Sequence, residues 1–278
     1  MGTGTRPVIG AAGIQFAKGH GTGNDFVVIP DLDASIELTA AQVAAICDRH
    51  NGIGADGIMR VVHAAKHPEA HDQADSAEWF MDYRNADGSI AEMCGNGVRV
   101  FTRYLLETGL SSGSAVPVAT RAGLRTVDVV GDDLRVDMSP ARFLGTEHAT
   151  LAGRAYEGTH VSMGNPHLVV HVTEDELAAL ELFREPQVDP AVFPNKANIE
   201  FICPTPTGVR MRVYERGVGE TLSCGTGACA AGAVGLGGGQ GTATVDVPGG
   251  RLTVTVDERT LWLSGPAVMV AEGRFHLR

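Results

Sequence analysis

The feature that most constrains this chain is a four-residue pattern that occurs once in each half. Cys94-Gly95-Asn96-Gly97 and Cys224-Gly225-Thr226-Gly227 share the pattern Cys-Gly-x-Gly. A stretch rich in apolar residues follows each copy, residues 98–105 in the first half and residues 228–233 in the second. The second stretch has no polar face, which is typical of a helix buried on all sides. We therefore predict that the strands of each half wrap around one central helix, with a cysteine at its exposed N-terminal end.

Further matches precede the two copies, in the same order. A polar residue stands nine positions before each cysteine, Asn85 in the first half and Glu215 in the second. Further upstream, Gly23-Asn24-Asp25-Phe26 corresponds to Gly164-Asn165-Pro166-His167, and each segment leads into an apolar run. These matches indicate a duplicated domain. Two such domains are expected to meet around a pseudo-twofold axis, with equivalent loops facing each other across a cleft.

The rest of the chain mixes short strands with helices. Thr39 with Gln42 and Thr173 with Glu176 have the spacing of capping boxes, which predicts a helix over residues 39–49 and a short helix after Thr173. Runs of β-branched residues or of alternating polarity predict strands. They cover residues 26–29, 58–62, 78–84, three runs between 115 and 138, then 168–172, 199–203, 209–214, 242–247, 252–256 and 261–263.

Length, charge and cysteine content narrow the class of protein. The 278 residues suit two domains, and the formal net charge of -11 disfavours a nucleic-acid or anionic-membrane partner. The five cysteines are an odd number, and residues 1–13 lack the apolar core of a signal peptide. We therefore expect a cytoplasmic protein with free thiols, and we interpret residues 1–13 as a flexible extension. No metal site is expected, because no histidine completes a ligand set with Cys224 and Cys229.

The position of the two thiols predicts a type of reaction. A helix N-terminus favours negative charge through its dipole and its free N–H groups, so we expect it to lower the pKa of a cysteine there. Inversion of a carbon stereocentre requires a base on one face of the carbon and an acid on the other. A facing pair, Cys94 and Cys224, therefore predicts racemisation or epimerisation of an amino acid without any cofactor. The remaining cysteines are expected to be small core residues; they are Cys47, Cys203 and Cys229.

Four segments together resemble the diaminopimelate epimerase family. They are HGTGNDF at 20–26, NADGSIAEMCGNGVR at 85–99, GNPH at 164–167 and ERGVGETLSCGTGAC at 215–229. The resemblance implies an α+β fold of two pseudo-symmetric domains, each a curved, mostly antiparallel sheet wrapped around a central helix. We accordingly assign residues 14–137 with 267–278 to an N-terminal domain that holds Cys94. Residues 138–266 form the C-terminal domain that holds Cys224.

The resemblance also implies an activity and a set of roles. The family interconverts LL- and meso-diaminopimelate, on routes to lysine and peptidoglycan, without pyridoxal phosphate or metal. Cys94 would take the α-proton from the LL isomer and Cys224 would protonate the opposite face. His167 and Glu215 would tune the protonation of the thiols. Glu215 would also contact the substrate, together with residues at the reacting carboxylate (Gly95, Asn96, Gly225 and Thr226) and at the distal amino-acid end (Asn24, Asn85, Asn165, Asn198 and Arg216).

The chain departs from the family at one position that bears on substrate binding. Many relatives carry a substrate-contacting glutamine where this chain has Gly57, so that contact is missing or replaced here. The expected partners are the small amino-acid substrate and a second copy of the chain in a homodimer.

Three other functions remain open from the residues alone. A two-cysteine racemase acting on proline or hydroxyproline would share the chemistry, but the asparagines and Arg216 favour a substrate with a second zwitterionic end. A pyridoxal-phosphate enzyme requires a Schiff-base lysine, and none of Lys18, Lys66 and Lys196 lies in such a motif. A thiol-redox binding protein would use both cysteines in a disulfide.

Overall fold

The structure, a computed structural model, describes residues 13–276, in which 18 strands form one continuous hydrogen-bonded network. Seven strands belong to the first half: β1 (Ile14–Gly21), β2 (Asn24–Pro30), β3 (Gly57–His63), β4 (Trp79–Asn85), β5 (Ala115–Ala119), β6 (Arg125–Val130) and β7 (Asp133–Asp137). The others are β8 (Arg142–Leu151), β9 (Arg154–Ser162), β10 (Pro166–His171), β11 (Gln187–Val188), β12 (Asn198–Thr205), β13 (Gly208–Glu215), β14 (Gly219–Thr221), β15 (Gly241–Val247), β16 (Gly250–Val256), β17 (Leu261–Gly265) and β18 (Val268–Phe275).

The helices of the described range also follow the duplicated plan. They are α1 (Ala40–Cys47), α2 (Gly95–Glu107), α3 (Glu174–Ala179) and α4 (Gly225–Gly235), with two short 3₁₀ helices at Ala64–Lys66 and His71–Gln73. Helices α1 and α3 both begin with the predicted capping box, at Thr39 and Thr173. No helix within residues 13–276 is both long and apolar enough to cross a membrane.

The strand pairings confirm that the second half repeats the first. In the first half β2 pairs parallel with β3 and β4 with β5. In the second half β10 pairs parallel with β12 and β13 with β15. The other pairings are antiparallel, as predicted. The outer strands correspond as well, because β18 pairs with β1 as β8 pairs with β9.

The two halves meet along one pair of strands. β7 runs antiparallel to β17, with Val136 opposite Leu263, so the seam lies between equivalent strands of the repeat. The domain limits at 14–137 with 267–278 and at 138–266 stay a prediction. The proposed flexible extension, residues 1–13, lies outside the described residues except for Gly13.

The helices α2 and α4 fill the interior of their halves, as the sequence predicted. Val98, Phe101 and Leu105 of α2 are completely buried, and burial of such a side chain contributes about 1.5–3 kcal/mol. In α4 the side chains are small because the helix lies very close to β16. A Cβ added at Gly232 would lie 2.6 Å from Cβ of Val254, so this contact requires glycine.

Candidate active site

Both cysteines of the repeated pattern are the N-cap residues of the central helices. Cys94 caps α2, and its sulfur accepts a hydrogen bond from the backbone N–H of Gly97 at 3.4 Å. Cys224 caps α4, and its sulfur lies 3.6 Å from the hydroxyl of Thr226. The fourth position of each pattern is glycine, and the capping cysteine lies next to it. A Cβ at Gly97 would lie 3.3 Å from Cβ of Cys94. A Cβ at Gly227 would lie 3.3 Å from the sulfur of Cys224.

The two helix starts face each other in direct contact. A Cβ added at Gly225 would lie 3.4 Å from Cα of Gly95 and 3.4 Å from the backbone nitrogen of Asn96. The internal hydrogen bonds of α2 begin only at Val98, whose N–H donates to Cys94. The N–H groups ahead of it therefore concentrate positive potential at the junction, which is a favourable place for a carboxylate.

A chain of hydrogen bonds connects the halves at this junction. The amide nitrogen of Asn96 donates at 3.3 Å to the oxygens of Ser223 and to the side chain of Asn24. The oxygen of Asn24 in turn accepts from the thiol of Cys94 at 3.6 Å. Ser223 also shares a 2.6 Å hydrogen bond with Thr22 of the first half. These contacts fix the position of the residue next to Cys224 against the neighbours of Cys94.

Burial reverses the expected effect of the helix ends on the thiols. Cys224 is only 6% exposed, so the prediction of an exposed thiol is wrong in the second half, whereas Cys94 is half-buried. Desolvation of the thiolate raises the pKa of both cysteines, and the carboxylate of Glu215 raises the pKa further. Backbone N–H groups at the helix starts oppose this shift without outweighing it. The prediction of lowered pKa values is therefore wrong.

A carboxyl group and an imidazole lie beside Cys224. The carboxylate of Glu215 raises the pKa of Cys224 and accepts from the hydroxyl of Thr221, and burial raises the pKa of the Glu215 carboxyl. His167 is completely buried and makes its hydrogen bonds elsewhere, to Glu200 at 2.7 Å and to Asn165 at 3.0 Å. Its connection to the thiol is indirect, because Asn165 donates at 3.4 Å to the hydroxyl of Thr226.

Sequence comparison gives the family. A profile described as Diaminopimelate epimerase matches residues 16–144 and 159–273. This chain belongs to the diaminopimelate epimerase family. A diaminopimelate epimerase of Rhodococcus erythropolis (strain PR4 / NBRC 100887) is 50% identical over 280 residues, covering 94% of this chain and 96% of the relative. One of Thermobifida fusca (strain YX) is 51% identical over 271 residues, covering 95% and 98%.

A solved structure shows how widely the fold is shared. A hydroxyproline epimerase from Agrobacterium vitis superposes with a TM-score of 0.64 at 14% identity, covering 94% of this chain and 91% of that one. Identity this low supports the fold alone. The predicted α+β architecture of two pseudo-symmetric domains is therefore confirmed, and the family assignment comes from the sequence relatives.

Most residues that the resemblance selected for this epimerase-family chain lie around the junction. Asn24, Gly95, Asn96, Asn165, Gly225 and Thr226 are within the hydrogen-bonded network or the helix contact described above. Asn198 is buried and accepts from the backbone N–H of Arg216 at 3.0 Å. The side chain of Arg216 makes no hydrogen bond or ion pair with the residues that the structure describes, so its guanidinium is available to a ligand.

Two positions of the first half that the resemblance singled out, Asn85 and Gly57, lie close against their own hairpin. Asn85 is engaged within its own hairpin, with Tyr83 at 3.0 Å and Ser89 at 3.0 Å. At Gly57 an added Cβ would lie 2.5 Å from the carbonyl oxygen of Arg84. A glutamine, which the family resemblance leads us to expect at this position, therefore cannot be accommodated on this backbone.

The sequence interpretation missed Glu200, which is buried at the back of the site. Its carboxylate lies 2.7 Å from Nδ1 of His167 and would be 2.6 Å from a Cβ at Gly227. The available signal was a charged residue inside the apolar run of β12, where Ile199 and Phe201 flank it. A carboxylate in a fully buried strand needs a partner, and that requirement indicates a site. Ser223, Thr22 and Arg99 were also missed.

Proposed function

We propose that this chain interconverts LL- and meso-diaminopimelate by proton transfer between two thiols. The observation that carries the proposal is the direct contact between two helix starts, each capped by a cysteine. A planar carbanion held at this junction would have one sulfur on each face. The family relatives named as diaminopimelate epimerases support the identity of the substrate.

The proposed reaction moves one proton off the α-carbon and a different proton onto it. In the LL-to-meso direction the sulfur of Cys94 takes the α-proton, and the electron pair moves into the carboxylate. The thiol of Cys224 then donates its proton to the opposite face. The backbone N–H groups of residues 95–96 and 225–226 stabilise the charge that develops on the carboxylate oxygens, which is the main cost of the reaction.

One of the two thiols must lose its proton before the α-proton can be transferred, and buried groups beside the thiols are proposed to take part. Because the pKa of both thiols is raised, the resting site holds both protons, and one must leave before a base is present. In the LL-to-meso direction the thiol that releases its proton is Cys94, which is only half-buried and can lose it to water. In the reverse direction Cys224 is the base, and we propose that Glu215 accepts its proton. We also propose that His167 orients the Asn165–Thr226 side of the site. Arg216, Asn198 and Asn85 are proposed to bind the distal amino-acid end. No step assigned here uses a metal or a cofactor.

The cellular compartment of the protein and its binding partners are also proposals. Two neighbouring thiols must both stay reduced to exchange protons, so we propose that the protein works in the cytoplasm. The partners proposed are the amino-acid substrate and a second copy of the chain.

The decisive experiment is substrate inversion in deuterium oxide under reductant. Incubation with LL-diaminopimelate should give the meso isomer carrying α-deuterium, detected by chiral chromatography and mass spectrometry. Cys94→Ala and Cys224→Ala should each lower turnover by about a thousandfold. Cys203→Ala, a change at a buried cysteine away from the junction, should retain it. Inversion of L-proline or trans-4-hydroxy-L-proline in place of LL-diaminopimelate would contradict the proposed substrate.

A further inference from the structure

The largest completely buried side chain of the described residues is an arginine, Arg99, on α2 one turn beyond the helix start. Its guanidinium donates to the carbonyl of Gly95 at 3.3 Å and to the side-chain oxygen of Asn96 at 3.1 Å. Its Nε is buried and has no hydrogen-bond partner. Arg99 thus lies directly behind the junction of the two helix starts.

Among the described residues one other arginine, Arg60, is buried, and it differs from Arg99 in having carboxylate partners. The guanidinium of Arg60 is paired with Asp31 at 2.7 Å and with Asp82 at 2.6 Å. Arg99 has no carboxylate within 4.0 Å among residues 13–276. An unpaired buried cation destabilises a fold, because its hydration is lost without a compensating anion. The position of Arg99 is therefore explained if an anion is present only during function.

The acidic groups near Arg99 indicate which group can become the anion that pairs with it. Glycines flank the guanidinium: a Cβ at Gly21 would lie 3.0 Å from Nη2, and one at Gly265 would lie 3.7 Å from Cζ. The acidic groups that act on the arginine are the thiols of Cys94 and Cys229 and the carboxylate of Asp133. Only the first belongs to the active site.

The charge state of Arg99 is compatible with such a role. Burial lowers the pKa of the arginine to about 10, so it remains a cation at neutral pH. The arginine in turn lowers the pKa of Cys94, whereas Glu215 raises it. Tyr83 also faces that thiol, and burial keeps its phenol protonated.

We propose that Arg99 is a positioning residue that supplies a permanent positive charge behind both helix starts, where it stabilises the thiolate of Cys94 and the carboxylate of a bound amino acid. The stabilisation of the thiolate needs no substrate, and the carboxylate part rests on the proposed function. The same side chain fixes the amide of Asn96. Because the guanidinium binds the amide oxygen, the amide nitrogen is turned toward Asn24 and Ser223.

The test compares Arg99→Met with Arg60→Met, which removes a buried arginine that is paired. The first readout is the pH dependence of alkylation of Cys94 by iodoacetamide, followed by peptide mass spectrometry. Arg99→Met should shift the inflection upward by about one pH unit, and Arg60→Met should leave it unchanged. The second readout is thermal unfolding. Arg60→Met should lower Tm because Asp31 loses its ion pair and Asp82 keeps only the one with Arg121, whereas Arg99→Met should keep or raise Tm.

A conservative variant and the activity assay separate the possible failures. Arg99→Lys keeps the charge, so its alkylation profile should stay near that of the unchanged protein. In Arg99→Met, kcat/KM should fall about tenfold, in step with the shift of one pH unit. An unshifted alkylation profile, or a loss of folding in Arg99→Met, would overturn the role of Arg99. Absence of inversion in the unchanged protein would instead overturn the proposed function, since the alkylation profile does not depend on it.

Discussion

At the scale of single residues, the position of a cysteine at the helix start and its burial shift the pKa of the thiol in opposite directions. An N-cap cysteine faces free N–H groups, which favour the thiolate. The same cysteine here is enclosed by the opposite half of the molecule, and desolvation favours the thiol. The second effect is larger in this structure. A base must therefore be created during catalysis, which gives Glu215 a defined task next to Cys224.

The raised pKa of the thiols predicts the pH dependence of the reaction. The base is a thiolate, so kcat/KM should increase as the pH rises from 7 to 9, while the partner cysteine stays protonated as the acid. Glu215→Gln removes a negative charge that raises the pKa of both thiols. The rising limb of its profile should therefore move to lower pH by about one unit, even if the maximal rate falls. A profile that is flat between pH 6 and 9 would contradict this assignment.

At the scale of elements, local sequence predicted helix starts better than strands. The capping boxes at Thr39 and Thr173 and the cysteine-capped helices are confirmed, because each depends on contacts within a few residues. The strands that were not predicted are β1, β8, β9, β11, β14 and β18. The last of these is exposed along much of its length, so no alternation of buried and exposed residues marks it.

The glycines at the fourth position of each pattern should respond unequally to substitution. A methyl group at Gly227 would lie 2.6 Å from the carboxylate oxygen that binds His167, whereas one at Gly97 meets its nearest atom at 3.3 Å. Gly227→Ala should displace Glu200 and lower turnover more than tenfold. Gly97→Ala should retain stability, since alanine favours a helix over glycine by about 0.5–1 kcal/mol. Turnover and thermal unfolding of both variants check this, and equal losses would contradict it.

At the scale of the whole molecule, the site exists only where the two halves meet. One sulfur comes from each half, and the contact between Gly95 and Gly225 sets the space between them. The seam of β7 with β17 and the hydrogen bond of Thr22 with Ser223 hold the halves in this arrangement. Thr22 adopts a backbone φ of 50°, which is unfavourable for a β-branched residue. In this conformation its hydroxyl makes the hydrogen bond with Ser223.

Loss of the hydroxyl that connects the halves should affect both stability and catalysis. Ser223→Ala removes the buried hydrogen bond to Thr22 and should lower the free energy of unfolding by about 1 kcal/mol. Turnover should fall several-fold because Asn96 loses one of its acceptors. The matched control is Thr242→Ala, which removes an exposed hydroxyl pair with Thr255 within one half. Urea unfolding and kcat measure the difference, and equal behaviour of the two variants would count against an interdomain role.

The sequence by itself determined the duplicated plan, the two cysteine-capped helices and the family, because each is carried by short motifs or by pattern along the chain. Only the tertiary structure decided the protonation of the thiols and the partners of the buried polar groups. Glu200 meets His167 across two parallel strands, and Arg99 lies unpaired behind both helix starts. Such properties depend on distance and desolvation between segments far apart in the chain, and local sequence does not record either quantity.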